Sequence, residues 1–135
     1  MVNINLMKDG NNKKLLSIGG SGKVGNYCIK RWIQEGEINK VWNFDLNELS
    51  ISNVKNIQSN IIEEKGYKDL SDVLKIENPN KIIIFAGYDF PRNQNSKNYD
   101  SPYSISKDET VKSWEINCML PLLVLQCIQE NKYQN

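Results

Sequence analysis

Histidine is absent from this chain of 135 residues. That removes imidazole-based acid–base catalysis, Ser-His-Asp triads and imidazole metal sites. Cysteine is scarce. Cys28, Cys118 and Cys127 are odd in number and lack C-x-x-C spacing. They exclude a disulfide framework or a zinc knuckle, and read as small apolar residues in a reducing, cytoplasmic compartment. An excess of one charge is missing too. Seventeen Lys and Arg against sixteen Asp and Glu leave a net charge of +1, with no basic stripe for nucleic acid. The longest apolar run, near residues 118–128, contains Pro121 and is too short to span a bilayer. Residues 1–13 lack the apolar stretch of a signal peptide.

What the chain does hold is a glycine turn. Residues 17–25 read Ser-Ile-Gly-Gly-Ser-Gly-Lys-Val-Gly, a G-x-x-G-x-x-G pattern at Gly19, Gly22 and Gly25. The apolar run Leu15-Leu16-Ser17-Ile18 leads in, and a helical pattern leads out. Val24, Cys28, Ile29, Trp32 and Ile33 fall on one stripe, with Lys30, Arg31, Gln34 and Glu35 opposite. Gly36 is placed to cap that helix. Val41-Trp42-Asn43-Phe44 reads as a short strand, closed by Asp45 twenty residues beyond Gly25.

Strand, glycine turn, helix, strand and acid is the order that holds a dinucleotide. Backbone N–H groups approach the pyrophosphate, the helix N-terminus faces its charge, and the acid accepts from the adenosine ribose hydroxyls. The competing reading is a tight turn whose glycines serve packing only. The acid at the expected distance argues against it. A Walker A loop is excluded: position 17 is Ser rather than Gly, and Val24 stands where magnesium needs Ser or Thr.

Residues 1–13, polar and Asn-rich, are expected to form a flexible arm ahead of a single small domain over 14–135. Strands are expected at 14–18, at 40–44, within 54–62 and at 82–86. Helices are expected over 22–35 and in a short stretch from Tyr67 to Ile76, stopped by Asn78-Pro79-Asn80. The run Ile82-Ile83-Ile84-Phe85-Ala86 is apolar on both faces, as a central parallel strand requires. Residues 88–106 read as a long polar loop. A last helix, with Asp108 as its expected cap, runs to about Glu130, and Pro121 is expected to kink or break it. Trp32 and Trp114 read as packing residues, and the stripe from Met119 to Ile128 as core.

Strands alternating with helices give an α/β fold of Rossmann type, three layers α/β/α around a parallel sheet. Counted from the strand at 14–18, the expected strand order is 3-2-1-4. The cofactor is expected across the carboxyl ends, at the switch between strands one and four.

These residues resemble the short-chain dehydrogenase/reductase superfamily. Ile18-Gly19-Gly20-Ser21-Gly22-Lys23-Val24-Gly25 is similar to its T-G-G-x-G-x-x-G, in the spacing of the extended, epimerase-like branch, with Ile18 in place of Thr. Phe44-Asp45 resembles the ribose-reading end of strand two. Ser59-Asn60-Ile61 sits where the family has an Asp followed by an apolar residue beside the adenine. Ile84-Phe85-Ala86-Gly87 resembles the N-N-A-G or H-L-A-A turn after strand four, without its asparagines or histidine. Trp114-Glu115-Ile116-Asn117, followed by Leu122 to Gln126, looks like the fourth helix, whose Asn props the catalytic lysine through water. The resemblance spans about residues 14–130.

It implies a nicotinamide dinucleotide held by Gly19, Ser21, Gly22, Lys23, Val24, Gly25, Asp45, Asn60, Ile61, Phe85, Ala86, Gly87 and Asn117. It also implies a catalytic serine on strand five and a Y-x-x-x-K pair on the fifth helix, both expected beyond residue 135. Tyr103-Ser104-Ile105-Ser106-Lys107 does match Y-x-x-x-K, making Tyr103 and Lys107 candidate catalytic residues. Its position, after strand four and before the Asn117 helix, favours a chance match.

The chain therefore reads as the NAD-binding half of a short-chain dehydrogenase/reductase, an oxidoreductase or an epimerase/dehydratase, cut before strand five. The implied chemistry is hydride transfer on a hydroxyl or carbonyl, with sugar nucleotides among the substrates. A non-catalytic or degenerate NAD(P)-binding module is the alternative. The acid at the end of strand two predicts NAD over NADP. The expected partners are the dinucleotide and a small molecule, not nucleic acid or a membrane. An open edge at Ile82–Ala86 and the outer face of the 119–128 helix predict self-association.

Overall fold

Four parallel strands carry the domain: β2 (Lys14–Ile18), β3 (Lys40–Phe44), β4 (Val54–Ile57) and β5 (Lys81–Ile84), ordered β4-β3-β2-β5 across the sheet. This is the expected 3-2-1-4 order. The structure, a computed structural model, describes residues 1–5, 13–88 and 106–132. The third strand is shorter than the 54–62 stretch that contained it. Residues 58–63 instead turn into the next helix.

A further strand, β1 (Val2–Asn5), pairs antiparallel with the outer edge of β5, from Val2 opposite Ile84 to Asn5 opposite Lys81. Two expectations change with it. The stretch expected as a flexible arm contributes an edge strand, and the edge of β5 expected to lie open is paired. Val2, Asn3, Ile4 and Asn5 alternate apolar and polar, a strand signal too short to stand out in a polar stretch; β5 supplies the hydrogen-bond partners. The rest of the arm, residues 6–12, lies outside the described residues.

Side chains alternate between two cores, as a sheet covered on both faces demands. Leu16, Ile18, Phe44, Ile82 and Ile84 point to one face, where α2 (Glu64–Glu77) and α4 (Leu120–Lys132) bring Leu70, Leu120, Val124, Cys127 and Ile128. Leu15, Val41 and Ile83 point to the other, with Ile29 of α1 (Lys23–Gln34) and Ile38. Trp32 packs there on Phe85, ring centroids 6.2 Å apart.

Val24, placed on the apolar stripe of α1, is 64% exposed; Gly25 and Ile29 are buried instead. Val24 and Ile29 lie about 140° apart around the helix, so the two do not share its buried face. Gly36 ends the helix as expected, with φ 72°. At the far end of the sheet, Lys13 Nζ donates to Gly36 O (2.6 Å) and Lys14 Nζ to Glu77 O (2.9 Å). Both cations offset the negative ends of α1 and α2.

The last helix departs from expectation in two ways. Its cap is Ser106, not Asp108. Ser106 Oγ accepts from Glu109 N–H, and the Glu109 carboxylate accepts from Ser106 N–H, a reciprocal box ahead of α3 (Lys107–Trp114). Pro121 does not break the helix. A π-helical turn, Glu115–Met119, precedes it, and Leu120 N–H reaches back to Glu115 O. The wider turn gives room where the proline ring would crowd the preceding carbonyls.

The helix therefore runs unbroken from Lys107 to Lys132. Its stretch Lys107–Asn131, 25 residues with a mean hydropathy of 1.2 in the most apolar window, is long and apolar enough to cross a membrane by those two measures alone. The shorter run seen in the sequence was not. Leu120, Val124, Cys127 and Ile128 pack into the core, while Leu122 and Leu125 are exposed. Trp114, expected to pack, is 60% exposed. Of the cysteines, Cys127 is buried and pushed up to about 11 by that burial; Cys28 and Cys118 are half-buried, and all three are free thiols.

Candidate functional site

The carboxyl ends of β2, β3, β4 and β5 open into a cleft of about 750 Å³. Its walls come from each strand end in turn: Ile18, Gly19, Ser21 and Gly22; then Phe44 to Asn47; then Ser59 to Ile62; then Phe85 to Gly87. The helix beginning at α3 closes the remaining side with Asp108, Val111, Lys112, Glu115, Ile116 and Leu120.

The glycine turn is packed against its surroundings at every glycine but one. Gly19 has φ 76°, and a Cβ there would stand 2.5 Å from Ala86 N. A Cβ on Gly20 would collide with Asn43 Oδ1, and one on Gly25 would stand 2.6 Å from Gly20 O. Gly22 differs. Its φ is −68°, open to any residue, and the nearest atom to a Cβ is Gly19 O at 3.7 Å. Its own fold does not demand glycine there. The position instead leaves free space at the N-terminus of α1, on the cleft wall.

The backbone N–H groups of the turn divide accordingly. Gly19 N–H donates to Phe44 O (2.8 Å), Gly20 N–H to Asn43 Oδ1 (3.1 Å) and Ser21 N–H to Asp45 Oδ2 (3.0 Å). The first turn of α1 has no side-chain cap and no acidic residue. The N–H groups that open a helix have no partner within it, so the positive end of α1 is available to an anion in the cleft.

Asp45 follows β3 and is held from two sides. Oδ2 accepts from Ser21 N–H and Oδ1 from Asn47 N–H, both at 3.0 Å. Each carboxylate oxygen keeps a further lone pair. Across the cleft, Asn60 Oδ1 accepts from Ile62 N–H (3.2 Å) and fixes the turn that presents Ile61 and Ile62. Ser59 donates to Asp69 (2.7 Å), whose carboxyl is held below the usual range by Lys65 first and then by Ser59.

Gly19, Ser21, Gly22, Asp45, Asn60, Ile61, Phe85, Ala86 and Gly87 thus line one cleft, as expected together. Lys23, Val24 and Gly25 do not line it; they sit in the first turn of α1 behind Gly22. Asn117 does not line it either. It lies in the π turn, accepts from Tyr88 N–H (2.9 Å) and donates to Tyr88 O (2.8 Å), pinning the segment that follows β5. Lys107 is exposed at the start of α3, and its neighbour Asp108 lines the cleft instead. Tyr103 lies outside the described residues.

Sequence reasoning missed Leu46, Asn47 and the whole α3 wall, since the residues that join β5 to α3 carry no pattern that sets where the helix lies. It also missed the buried polar pair Ser17 and Asn43, neighbours in register on β2 and β3. The signal was there: each is a lone polar residue inside an apolar strand run.

The donor set fits a dinucleotide. An uncapped helix end with free space at Gly22 suits a pyrophosphate. A carboxylate held by two N–H groups, with lone pairs left over, suits a ribose diol. No family model matches the chain, and no curated protein matches it by sequence. Solved structures do. A short-chain dehydrogenase from Leptospira borgpetersenii with bound NAD+ superposes with a TM-score of 0.68 at 20% identity, over 87% of this chain and 44% of that one. Aldohexose dehydrogenase from Thermoplasma acidophilum gives 0.69 at 14% identity, over 92% and 46%. UDP-glucose 4-epimerase gives 0.64 at 21% identity, over 88% and 32%. The chain has the Rossmann-like α/β fold of these proteins, and spans less than half the length of each of them.

Proposed function

We propose that this chain is the dinucleotide-holding part of an NAD-preferring enzyme of the short-chain dehydrogenase/reductase type. The observation that carries the reading is the pairing of Gly22 with Asp45 across one turn: an open, uncapped helix end beside a pre-held carboxylate. Gly22, on the cleft wall, and the positive end of α1 behind it would hold the pyrophosphate, and Asp45 the adenosine ribose. Leu46, Ile61 and Ile62 would flank the base. When bound, the cofactor supplies a hydride acceptor or donor for a hydroxyl or carbonyl. The glycine spacing makes a sugar nucleotide one candidate substrate. The unpaired thiols favour a cytoplasmic setting.

A second reading, a non-catalytic NAD(P)-binding module, is favoured by Lys107, which is exposed and off the cleft. Calorimetric titration with NAD tests the shared core of both readings: saturable one-to-one binding is expected, and no binding at millimolar NAD overturns both. Nicotinamide absorbance across a panel of secondary alcohols and sugar nucleotides then separates them.

A further inference from the structure

Asn43 and Ser17 are fully buried polar residues, and they lie directly beneath the glycine turn. Burying an amide is unfavourable unless its hydrogen-bonding capacity is met. Here it is met completely. Asn43 Oδ1 accepts from the Ser17 hydroxyl (2.8 Å) and from Gly20 N–H (3.1 Å). Asn43 Nδ2 donates to Ser21 Oγ (3.0 Å) and to Asn56 Oδ1 (3.2 Å). Two lone pairs and two hydrogens are all that such a side chain offers. The network continues outward. Asn56 accepts from Leu49 N–H (2.9 Å) and donates to Leu49 O (3.1 Å), and Ser21 donates to Asn47 O (2.6 Å).

The geometry follows from these bonds. Asn43 turns the N–H of Gly20 inward and fixes the hydroxyl of Ser21, and it occupies the space that a Cβ on Gly20 would need. Gly19, Gly20 and Ser21 thus spend their N–H groups on Phe44, Asn43 and Asp45, which leaves to a ligand the N–H groups that open α1, with Gly22 the residue on the cleft wall. The same side chain ties the turn to β4 through Asn56. A turn formed before the ligand arrives loses little freedom on binding, and that raises affinity.

We propose that Asn43 is a positioning residue for the phosphate-binding turn: it acts through Gly20 and Ser21, and without touching the ligand sets which N–H groups meet a pyrophosphate. The role rests on the dinucleotide reading above. It separates ligands by chemistry. Those with a pyrophosphate use the turn that Asn43 shapes; adenosine uses Asp45 and the apolar wall.

The test is Asn43→Leu, similar in volume and suited to a strand, with Ser17→Ala as a milder second variant that removes one bond of the network. NAD and ADP are titrated by calorimetry, and adenosine by ligand-observed NMR, each against wild type. Adenosine binding also reports that the variant is folded. The expected result is a loss of about tenfold for NAD and ADP in Asn43→Leu, with adenosine within about twofold. Ser17→Ala moves the same way by a smaller factor, and decides the matter if Asn43→Leu does not fold. Equal losses for ADP and adenosine, or no loss for either, overturn the positioning role and leave the dinucleotide reading standing. A wild-type chain that binds neither NAD nor ADP overturns that reading, and this role with it.

Discussion

Gly25 lies against Gly20 so closely that a Cβ on the former would stand 2.6 Å from the carbonyl oxygen of the latter. That contact is backbone on backbone, between the first turn of α1 and the glycine turn, and nothing in it can yield. A Cβ on Gly22, three residues away, would make only an ordinary contact, 3.7 Å from Gly19 O. The two glycines therefore serve different ends, and alanine separates them. Gly25→Ala is expected to destabilise the fold by roughly 1–3 kcal/mol. Gly22→Ala is expected to leave the thermal midpoint almost unchanged and weaken NAD binding by about tenfold or more. Thermal melts and calorimetry on the two variants check this. A Gly22→Ala protein with unchanged NAD affinity would remove the pyrophosphate from that position.

Asp45 is expected to set the choice between NAD and NADP. A carboxylate beside a ribose diol accepts its hydroxyls and repels a 2′-phosphate. NAD is expected to bind about tenfold or more tightly than NADP, since one unfavourable charge contact is worth ~1–2 kcal/mol. Asp45→Asn should narrow that gap. Equal affinities in the wild-type chain, or tighter NADP, sink the expectation.

Removal of residues 1–5 exposes the outer edge of β5. An unpaired edge of Lys81-Ile82-Ile83-Ile84 is a template for pairing with another chain. The shortened protein is expected to self-associate, as seen by light scattering, more than the full chain at the same concentration. If both scatter alike, β1 does not protect the edge.

Acid acts on the turn that follows β4. The folded carboxyl of Asp69 titrates below its ordinary value because Lys65 (2.8 Å) and Ser59 (2.7 Å) favour the charged form. A depressed value means that the stabilisation is present above about pH 4 and is lost as pH falls through the folded value. The pair is largely exposed, so the effect is under about 1 kcal/mol. Urea melts above and below that range should show less acid sensitivity in Asp69→Asn than in wild type. Identical acid sensitivity in the two proteins would show that Asp69 is not the group responsible.

Turnover is the last expectation. The reaction proposed above would need tyrosine, lysine and serine placed to within fractions of an ångström of their productive positions, and Lys107 is not on the cleft wall. The isolated chain is expected to bind NAD without oxidising alcohols or sugar nucleotides, and Tyr103→Phe to leave NAD affinity nearly unchanged. Steady turnover that vanishes in both Tyr103→Phe and Lys107→Ala would place the reacting groups here after all.

The sequence alone determined the order of the parallel strands, the glycine turn and the place of Asp45. Those features are local: alternation over a few residues, glycines at fixed spacing, and an acid at the end of an apolar run. They need no distant partner to be legible. Tertiary structure alone decided the rest. β1 exists because the edge of β5 offers hydrogen bonds to the alternating Val2–Asn5, a run of four residues too short to hold as a strand by itself. Val24 is exposed because the face of α1 that meets the sheet is the one carrying Gly25 and Ile29. Pro121 sits in an unbroken helix because a π turn upstream makes room for it. Asn43 gains its role only when β3 lies beside β2 and beneath the glycine turn. A lone polar residue in a strand is a fault or a device according to what meets it, and here Ser17, Gly20, Ser21 and Asn56 meet every bond it can make.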